Sequence, residues 1–309
     1  MRIHKDWKAL PIDARGATVA MGNFDGVHLG HRSVIDTARA AVAAPLGVVT
    51  FEPHPREYFA PAAPPFRLMN VESRANRLAR LGVEHLYQLP FDAVLAGLTP
   101  EEFARQVLVQ GLGVRHVSVG ADFCFGRQRS GTAETLCDLG RQLGFGVTVA
   151  PLIGDGGVEY SSTAIRQALA QGRPRDAERM LGHWHRIDGE VLHGDKRGRD
   201  LGYPTANMSM DGLHLPRLGV YAVLVDVLTG PERGSYKGVA SLGVRPMFGE
   251  NRPNLEVHIF DFSADLYGQH LSVALIDYLR PEEKFDSLTA LIRQMDQDSA
   301  RAREILATR

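Results

Sequence analysis

The amino-acid sequence predicts two folds in series: an α/β half built on a parallel sheet, then a β half of antiparallel strands with a terminal helix. Three observations carry this. Between Thr18 and Leu152 strand-like runs alternate with helical patterns, as in a parallel sheet covered on both faces. From Trp184 onward, strand-like runs follow one another without helices until Ser287–Leu306, which suggests an antiparallel sheet or small barrel. At 309 residues the chain exceeds one typical core, so about two domains are expected. The boundary is placed near His183, dividing residues 1–183 from 184–309.

In the first half, strands are expected at Thr18–Met21, Leu46–Phe51, His85–Leu89, His116–Val119 and Val147–Leu152. Helices are expected at Arg32–Ala44, Val71–Leu81, Pro100–Gln110 and Thr132–Leu143. The third begins on three agreeing signals: Thr99 as cap, Pro100 at the first helical position, and Glu102 three residues past the cap. Gly82, Gly111 and Gly144 stand where helices should stop. A helix over Ala164–Ala170 breaks at Gln171–Asp176 and resumes over Ala177–Leu181. The second half reads as strands at Arg186–His193, Gly219–Leu228, Tyr236–Val244, Leu255–Phe262 and His270–Leu279. In the final helix Leu288, Leu291, Ile292, Met295, Ala302, Ile305 and Leu306 recur at helical spacing, which reads as core contact.

Composition excludes several classes. A formal charge of −1 with both signs interspersed argues against a general nucleic-acid binder. No run approaches the ~18 apolar residues of a membrane span, and the first residues lack the apolar core of a signal peptide. The two cysteines, Cys124 and Cys137, are too few for a disulfide scaffold or a four-thiolate zinc site. A cytoplasmic protein is expected, with no nucleic-acid or membrane partner; no oligomeric state is legible. Positive charge is local, at Lys196-Arg197-Gly198-Arg199 and Arg127-Gln128-Arg129, which suits a small phosphorylated ligand.

Chemistry concentrates at Gly22-Asn23-Phe24-Asp25-Gly26-Val27-His28-Leu29-Gly30-His31, between an apolar strand and a helical pattern. Strand, glycine turn and helix let a ligand approach the backbone, and the helix start offers free N–H groups to a phosphate. Neither Gly-x-Gly-x-x-Gly nor Gly-x4-Gly-Lys-Ser/Thr occurs. Taken alone, the stretch is equally a tight turn with a capped helix, or part of a metal site lacking a third ligand. Three more segments fall at strand ends: Phe51-Glu52-Pro53-His54-Pro55, Gly120–Gly126 with Asp122, and Ser161-Ser162-Thr163-Ala164-Ile165-Arg166. Each also reads as ordinary punctuation or capping.

In the second half a glycine-rich basic loop, Gly194 to Gly202, runs into Tyr203-Pro204-Thr205-Ala206-Asn207. Its backbone N–H groups with Lys196 and Arg197 could cradle an anion. Thr205 and Asn207 offer oxygens to a hard cation. A solvated hairpin with a proline turn is the plain alternative.

Together these stretches resemble the bacterial bifunctional riboflavin kinase/FMN adenylyltransferases, the prokaryotic FAD synthetases. Gly22–His31 looks like their signature, with His28-Leu29-Gly30-His31 as the His-x-Gly-His element of the wider nucleotidyltransferase superfamily. Phe51–Pro55, Gly120–Gly126 and Ser161–Arg166 follow in the family's order. Gly194–Asn207 resembles the riboflavin kinase signature, and Leu255–Phe262 its catalytic strand. Gly219–Ala222, Asp265–Gly268 and Leu279–Phe285 follow too. The resemblance spans about residues 17 to 306.

It implies a Rossmann-like nucleotidyltransferase domain over 1–183 and a six-stranded antiparallel flavokinase β-barrel with terminal helix over 184–309. The implied reactions phosphorylate the riboflavin 5′-hydroxyl with ATP and then join FMN to the AMP part of ATP, releasing pyrophosphate. The substrates are riboflavin, FMN and ATP, with Mg²⁺ accompanying the nucleotide and FAD as product. His28 and His31 are expected to donate to the ATP phosphates, and Gly22 and Asn23 to hold the nucleotide. Asp122 is expected at the flavin and nucleotide pocket, and Ser161, Ser162, Thr163 and Arg166 on pyrophosphate. In the kinase, Glu256 is expected as base and Thr205 and Asn207 as Mg²⁺ ligands. Gly194, Lys196, Arg197 and Gly198 would cover the phosphates, and Arg280 would contact flavin phosphate or a flap.

Some positions depart from the family pattern. Ser241 stands where Asn is usual, Met247 where Thr is usual, and His183-Trp184-His185 replaces an Arg-Pro-Tyr-like run. These are expected on the flavin side or an interdomain surface, bearing on riboflavin affinity. Two other readings are an adenylyltransferase with a kinase-inactive barrel, and a flavin-sensing regulator without turnover.

Overall fold

The computed structural model describes residues 1–155, 158–193, 202–247 and 250–308. In the first half the elements are β1 (Arg2–His4), β2 (Thr18–Met21), α1 (Leu29–Ala41), β3 (Leu46–Glu52), α2 (Pro55–Phe59), α3 (Val71–Arg80), β4 (His85–Pro90) and α4 (Ala93–Gly97). Then α5 opens at Pro100–Glu102 and continues as wider π-helical turns through Phe103–Leu112. β5 (His116–Gly120), β6 (Cys124–Phe125), β7 (Gly131–Thr132), α6 (Ala133–Leu143), β8 (Gly146–Ala150) and the short pair β9 (Gly154–Asp155) and β10 (Val158–Glu159) follow.

Strand order in the main sheet is β1-β4-β3-β2-β5-β8, every pair parallel. The chain adds β3 and β4 on one side of β2, then returns to lay β5 on the other. Such reversals open a crevice beyond the strands' carboxyl ends, and the Gly22–His31 stretch leaves β2 there. Leu46–Phe51 of β3 is buried at every position, as a strand covered on both faces requires. Short elements escape the sequence pattern, among them β1, three mostly exposed residues on the sheet edge, the two-residue hairpin strands β6 and β7, and the five-residue helices α2 and α4.

The later elements are α7 (Ser162–Ala170), α8 (Pro174–Leu181), β11 (Arg186–Glu190), β12 (Ala206–Ser209), β13 (Gly219–Val227), β14 (Gly234–Met247), β15 (Glu250–Ile259), β16 (His270–Arg280) and α9 (Leu288–Leu306). Strand order is β11-β16-β13-β14-β15-β12, all antiparallel. A bridge between Leu192 and Asn207 joins the two ends of that order, so the sheet curls into a nearly closed barrel.

Alternation assigns the two faces. Tyr221, Val223, Leu242, Leu255, Val257 and Val273 fill the interior. Val220, Ala222, Val239, Ala274 and Ile276 face outward and are covered by Ala302 and Leu306 of α9.

By contacts the chain divides into Met1–Pro64 with Arg74–Tyr160, and Pro65–Ser73 with Ser161–Arg309. Helices α7 and α8, which precede the expected boundary near His183, therefore group with the barrel. Ile165, Ala168, Leu169, Ala177 and Leu181 share one buried cluster with Leu68, and the Arg217 N–H, just before β13, donates to the Leu169 carbonyl at 2.9 Å. Arg175 of α8 also pairs with Asp277 of β16 at 2.7 Å.

Candidate active sites

The first candidate site is the turn after β2. Phe24 (φ 53°) and Val27 (φ 43°) hold left-handed backbone that L side chains rarely adopt, beside Gly26 at φ 88°. Each such residue costs about 1–3 kcal/mol and persists only where its surroundings fix it. Here both side chains are 1% exposed, so packing holds the turn in one shape. From below, the Asn23 carbonyl accepts from Thr50 Oγ1 at 3.2 Å and from Arg74 Nη1 at 3.5 Å. Arg74 is itself buried and bonded to Glu52 at 2.9 Å. Asn23 is exposed above this support, and Gly22 is half-buried.

His28 caps α1, its Nδ1 accepting from the His31 N–H at 3.3 Å. A neutral His28 therefore carries its proton on Nε2. The two imidazoles stack with centroids 3.7 Å apart, and Phe24 lies 5.1 Å from His31. His31 Nδ1 is buried without a hydrogen-bond partner among the described residues. Burial first, and then the neighbouring His28, holds the His31 pKa well below the ordinary 6.5. At neutral pH its ring is a neutral hydrogen-bonding group. Gly30 permits this packing: a Cβ there would stand 3.0 Å from the His28 ring and 3.4 Å from the Tyr160 carbonyl.

Asp122 is exposed in the turn after β5, where the Phe123 N–H donates to the Gly120 carbonyl at 3.1 Å. Ser161 caps α7, accepting from the Ala164 N–H at 3.3 Å. Ser162 and Thr163 open that helix. Arg166 donates Nη2 to Thr163 Oγ1 at 3.2 Å and Nη1 to the Phe66 carbonyl at 3.5 Å. The capping role of Ser161 is thus what the structure contains, and the helix start it creates remains suited to an anion.

The second candidate site is a cavity of about 480 Å³ between the outer barrel face and α9, lined in part by Thr205, Glu256 and Arg280. Strand register sets its wall. Asn207 pairs with Glu256, Glu256 with Ser241, Ser241 with Val220, and Val220 with Arg280. One cross-strand row therefore carries the expected base, an expected metal ligand and Arg280. Asn207 is not part of the lining, and its Oδ1 accepts from Asn254 Nδ2 at 2.9 Å. The Thr205 hydroxyl and the Asn207 amide oxygen are hard-oxygen donors of the kind that suits Mg²⁺ with nucleotide phosphates. Gly194, Lys196, Arg197 and Gly198 lie outside the described residues.

Ser241 lines this cavity as the direct neighbour of Glu256, closer to the expected chemistry than its sequence departure suggested. His185 is 2% exposed in the barrel unit. Trp184 packs against the outer-face cluster.

Comparison with known proteins follows the same division. A family model described as FAD synthetase matches residues 10–164, and one described as riboflavin kinase matches 181–306. The bifunctional riboflavin kinase/FMN adenylyltransferase of Pseudomonas fluorescens is 42% identical, with 99% of this chain and 98% of that protein covered. Its Escherichia coli K12 counterpart is 40% identical, with 94% and 92% covered. The chain belongs to the bifunctional riboflavin kinase/FMN adenylyltransferase family.

A crystal structure described as a macrolide-efflux protein from Streptococcus pneumoniae shares the fold, with a TM-score of 0.82 at 33% identity and 98% of each chain covered. That description is of the other protein. Among the described residues here, no helix is long and apolar enough to cross a membrane.

Within the FAD synthetase match, sequence reasoning missed Arg74 and an aromatic group formed by Tyr58, Phe59 and Phe91. These rings meet edge-on at 5.1 to 5.8 Å, and Phe59 is 67% exposed. Within the riboflavin kinase match it missed Asp296 and Asp298 of α9. Asp296 accepts a hydrogen bond from the Tyr203 hydroxyl, and Asp298 pairs with Arg280. Helical spacing gives no sign of these acidic contacts, because charged residues on a helix are ordinarily solvated.

Proposed function

We propose that this chain phosphorylates riboflavin to FMN with ATP and then adenylylates FMN to FAD with a second ATP, releasing pyrophosphate. Residues 184–309 serve the first step and residues 1–183 the second. Family membership supports the pair of activities. The observation that carries the kinase half is the cavity row in which Glu256 stands between Asn207 and Ser241.

An alcohol is a weak nucleophile, so a base near it is needed. In our reading Glu256 takes the proton of the 5′-hydroxyl as that oxygen attacks the γ-phosphorus of ATP, and ADP leaves. Thr205 and Asn207 would hold Mg²⁺, which when bound supplies charge neutralisation at the phosphates. Lys196, Arg197 and the Gly194 and Gly198 backbone would cover those phosphates.

In the second step the FMN phosphate is the nucleophile and attacks the α-phosphorus of ATP. The protein's task is alignment and charge stabilisation. His28 and His31 donate to the ATP phosphates, His31 as a neutral imidazole, while Gly22 and Asn23 seat the nucleotide. Ser161, Ser162, Thr163 and Arg166 bind the leaving pyrophosphate. Asp122 and the exposed Phe59 face the flavin, a planar ring suited to an aromatic wall. The substrates are small molecules, and a cytoplasmic site of action fits an enzyme of ATP and free flavins.

One chromatographic assay tests this. With riboflavin, ATP and Mg²⁺ supplied, both FMN and FAD should appear. FAD from added FMN without any FMN from riboflavin would mean an inactive barrel. Flavin binding without turnover would mean a regulator.

A further inference from the structure

Asp298 is 6% exposed on the α9 wall of the kinase cavity, where an unpaired carboxylate would be costly. Arg280, at the end of β16, satisfies it. Nε donates to both carboxylate oxygens at 3.0 Å and Nη2 donates to Oδ2 at 2.7 Å. Gln294, one turn earlier on α9, donates Nε2 to Oδ1 at 3.0 Å. Arg280 Nη1 donates to the Pro281 carbonyl at 2.9 Å, and the guanidinium lies 5.7 Å from the centre of the Phe285 ring. A guanidinium has five N–H groups. Among the described residues these contacts leave one on Nη1 and one on Nη2.

The cavity thus meets an arginine whose geometry is fixed and whose charge is cancelled. What it offers a ligand is a pair of N–H donors beside apolar Val220, Val239, Leu291 and Met295. A neutral, planar, hydrogen-bonding molecule fits that wall. A phosphate dianion gains little from a neutralised arginine, and the Glu256, Glu282 and Glu283 carboxylates in the lining disfavour further negative charge.

We propose that Asp298 is a positioning residue that sets the kinase cavity for the neutral flavin over its phosphorylated product. It orients Arg280 and removes its charge, so riboflavin is held and FMN is released. This rests on the kinase reading above.

The test uses the full-length protein and initial rates of ATP-dependent FMN formation, with FMN added as an inhibitor competing with riboflavin. Asp298→Asn keeps the side-chain shape and one acceptor oxygen but exposes the Arg280 charge. Riboflavin KM should rise and the FMN inhibition constant should fall, moving their ratio by about tenfold toward FMN. KM for ATP, and adenylylation of FMN by the same preparation, should stay at wild-type values. Asp298→Glu, which keeps the charge, should hold the wild-type ratio. The double variant Asp298→Asn with Arg280→Gln should return toward it, because the exposed charge is gone. Equal weakening of riboflavin and FMN, or a ratio that stays shifted in the double variant, overturns the proposal. A wild-type protein that makes no FMN from riboflavin instead overturns the kinase reading, a separate result from an unmoved ratio in a working kinase.

Discussion

Asn207 and Glu256 stand directly opposite each other across β12 and β15, and Ser241 flanks Glu256 on its other side. Both neighbours are neutral and polar. Glu256→Gln keeps the shape and removes the base. FMN formation should fall by roughly two to four decades, the range for a positioned base. Conversion of added FMN to FAD should proceed at the wild-type rate in the same sample. A kinase running at full speed in this variant would remove Glu256 from the mechanism.

The row around Glu256 shows what the sequence could and could not carry. Alternation in Leu255–Ile259 was enough to put Glu256 on the outward face. An outward glutamate is ordinarily solvated, and only the packing of α9, more than thirty residues later in sequence, turns that face into a cavity wall. Gly22–His31 was legible because its parts are contiguous: strand, turn, cap and ring pair fall within one stretch. Arg74 and Asp298 were not, since each looks like an ordinary helix-surface charge until its partner, Glu52 or Arg280, is brought up by the fold. β12 escaped because four residues after a proline turn carry too little alternation to register.

His31 tests the adenylyl-transfer assignment. Its buried, unpartnered Nδ1 and its stacking on His28 suit a donor held ready for a phosphate. His31→Ala should lower FAD formation by about two decades or more, as loss of a transition-state donor does, with FMN formation retained. Its pKa lies well below 6.5, so His31 stays neutral as pH falls through 6.5. Its own titration should therefore add no inflection to the FAD-forming rate near that pH. An inflection there that vanishes in His31→Ala would contradict a neutral His31.

His185 should govern part of the acid stability. Its pKa is lowered from 6.5 to about 3, by burial first and then by His183 and His214. Below 6.5 the unfolded chain takes up a proton at this position that the folded chain refuses until about 3. The unfolded state then binds more protons, so stability is full above 6.5 and declines as pH falls toward the folded value. The loss from this group is roughly 3 kcal/mol by about pH 4. His185→Gln cannot bind that proton and should flatten the pH slope of denaturant stability across this window, whatever its stability at neutral pH. An unchanged slope would show that His185 titrates freely in the folded chain.

Gly30 opposes local propensity to site geometry. It lies in the first turn of α1, where alanine is the better helix former by about 1 kcal/mol. A methyl group there would stand 3.0 Å from His28 Nδ1 and Cε1 and 3.4 Å from the Tyr160 carbonyl, too close for the ring to keep its place. Moving the ring breaks its capping bond to the His31 N–H, a loss of about 1 kcal/mol. The two effects nearly cancel, so Gly30→Ala should melt within a few degrees of wild type. Adenylyl transfer should nonetheless fall by at least about tenfold, because a 1 Å displacement of an aligned group is enough to cost that much. FMN formation should not change. Thermal melts and separate assays of the two reactions read these outcomes, and wild-type FAD formation in Gly30→Ala would mean that the His28 ring position is not what the glycine protects.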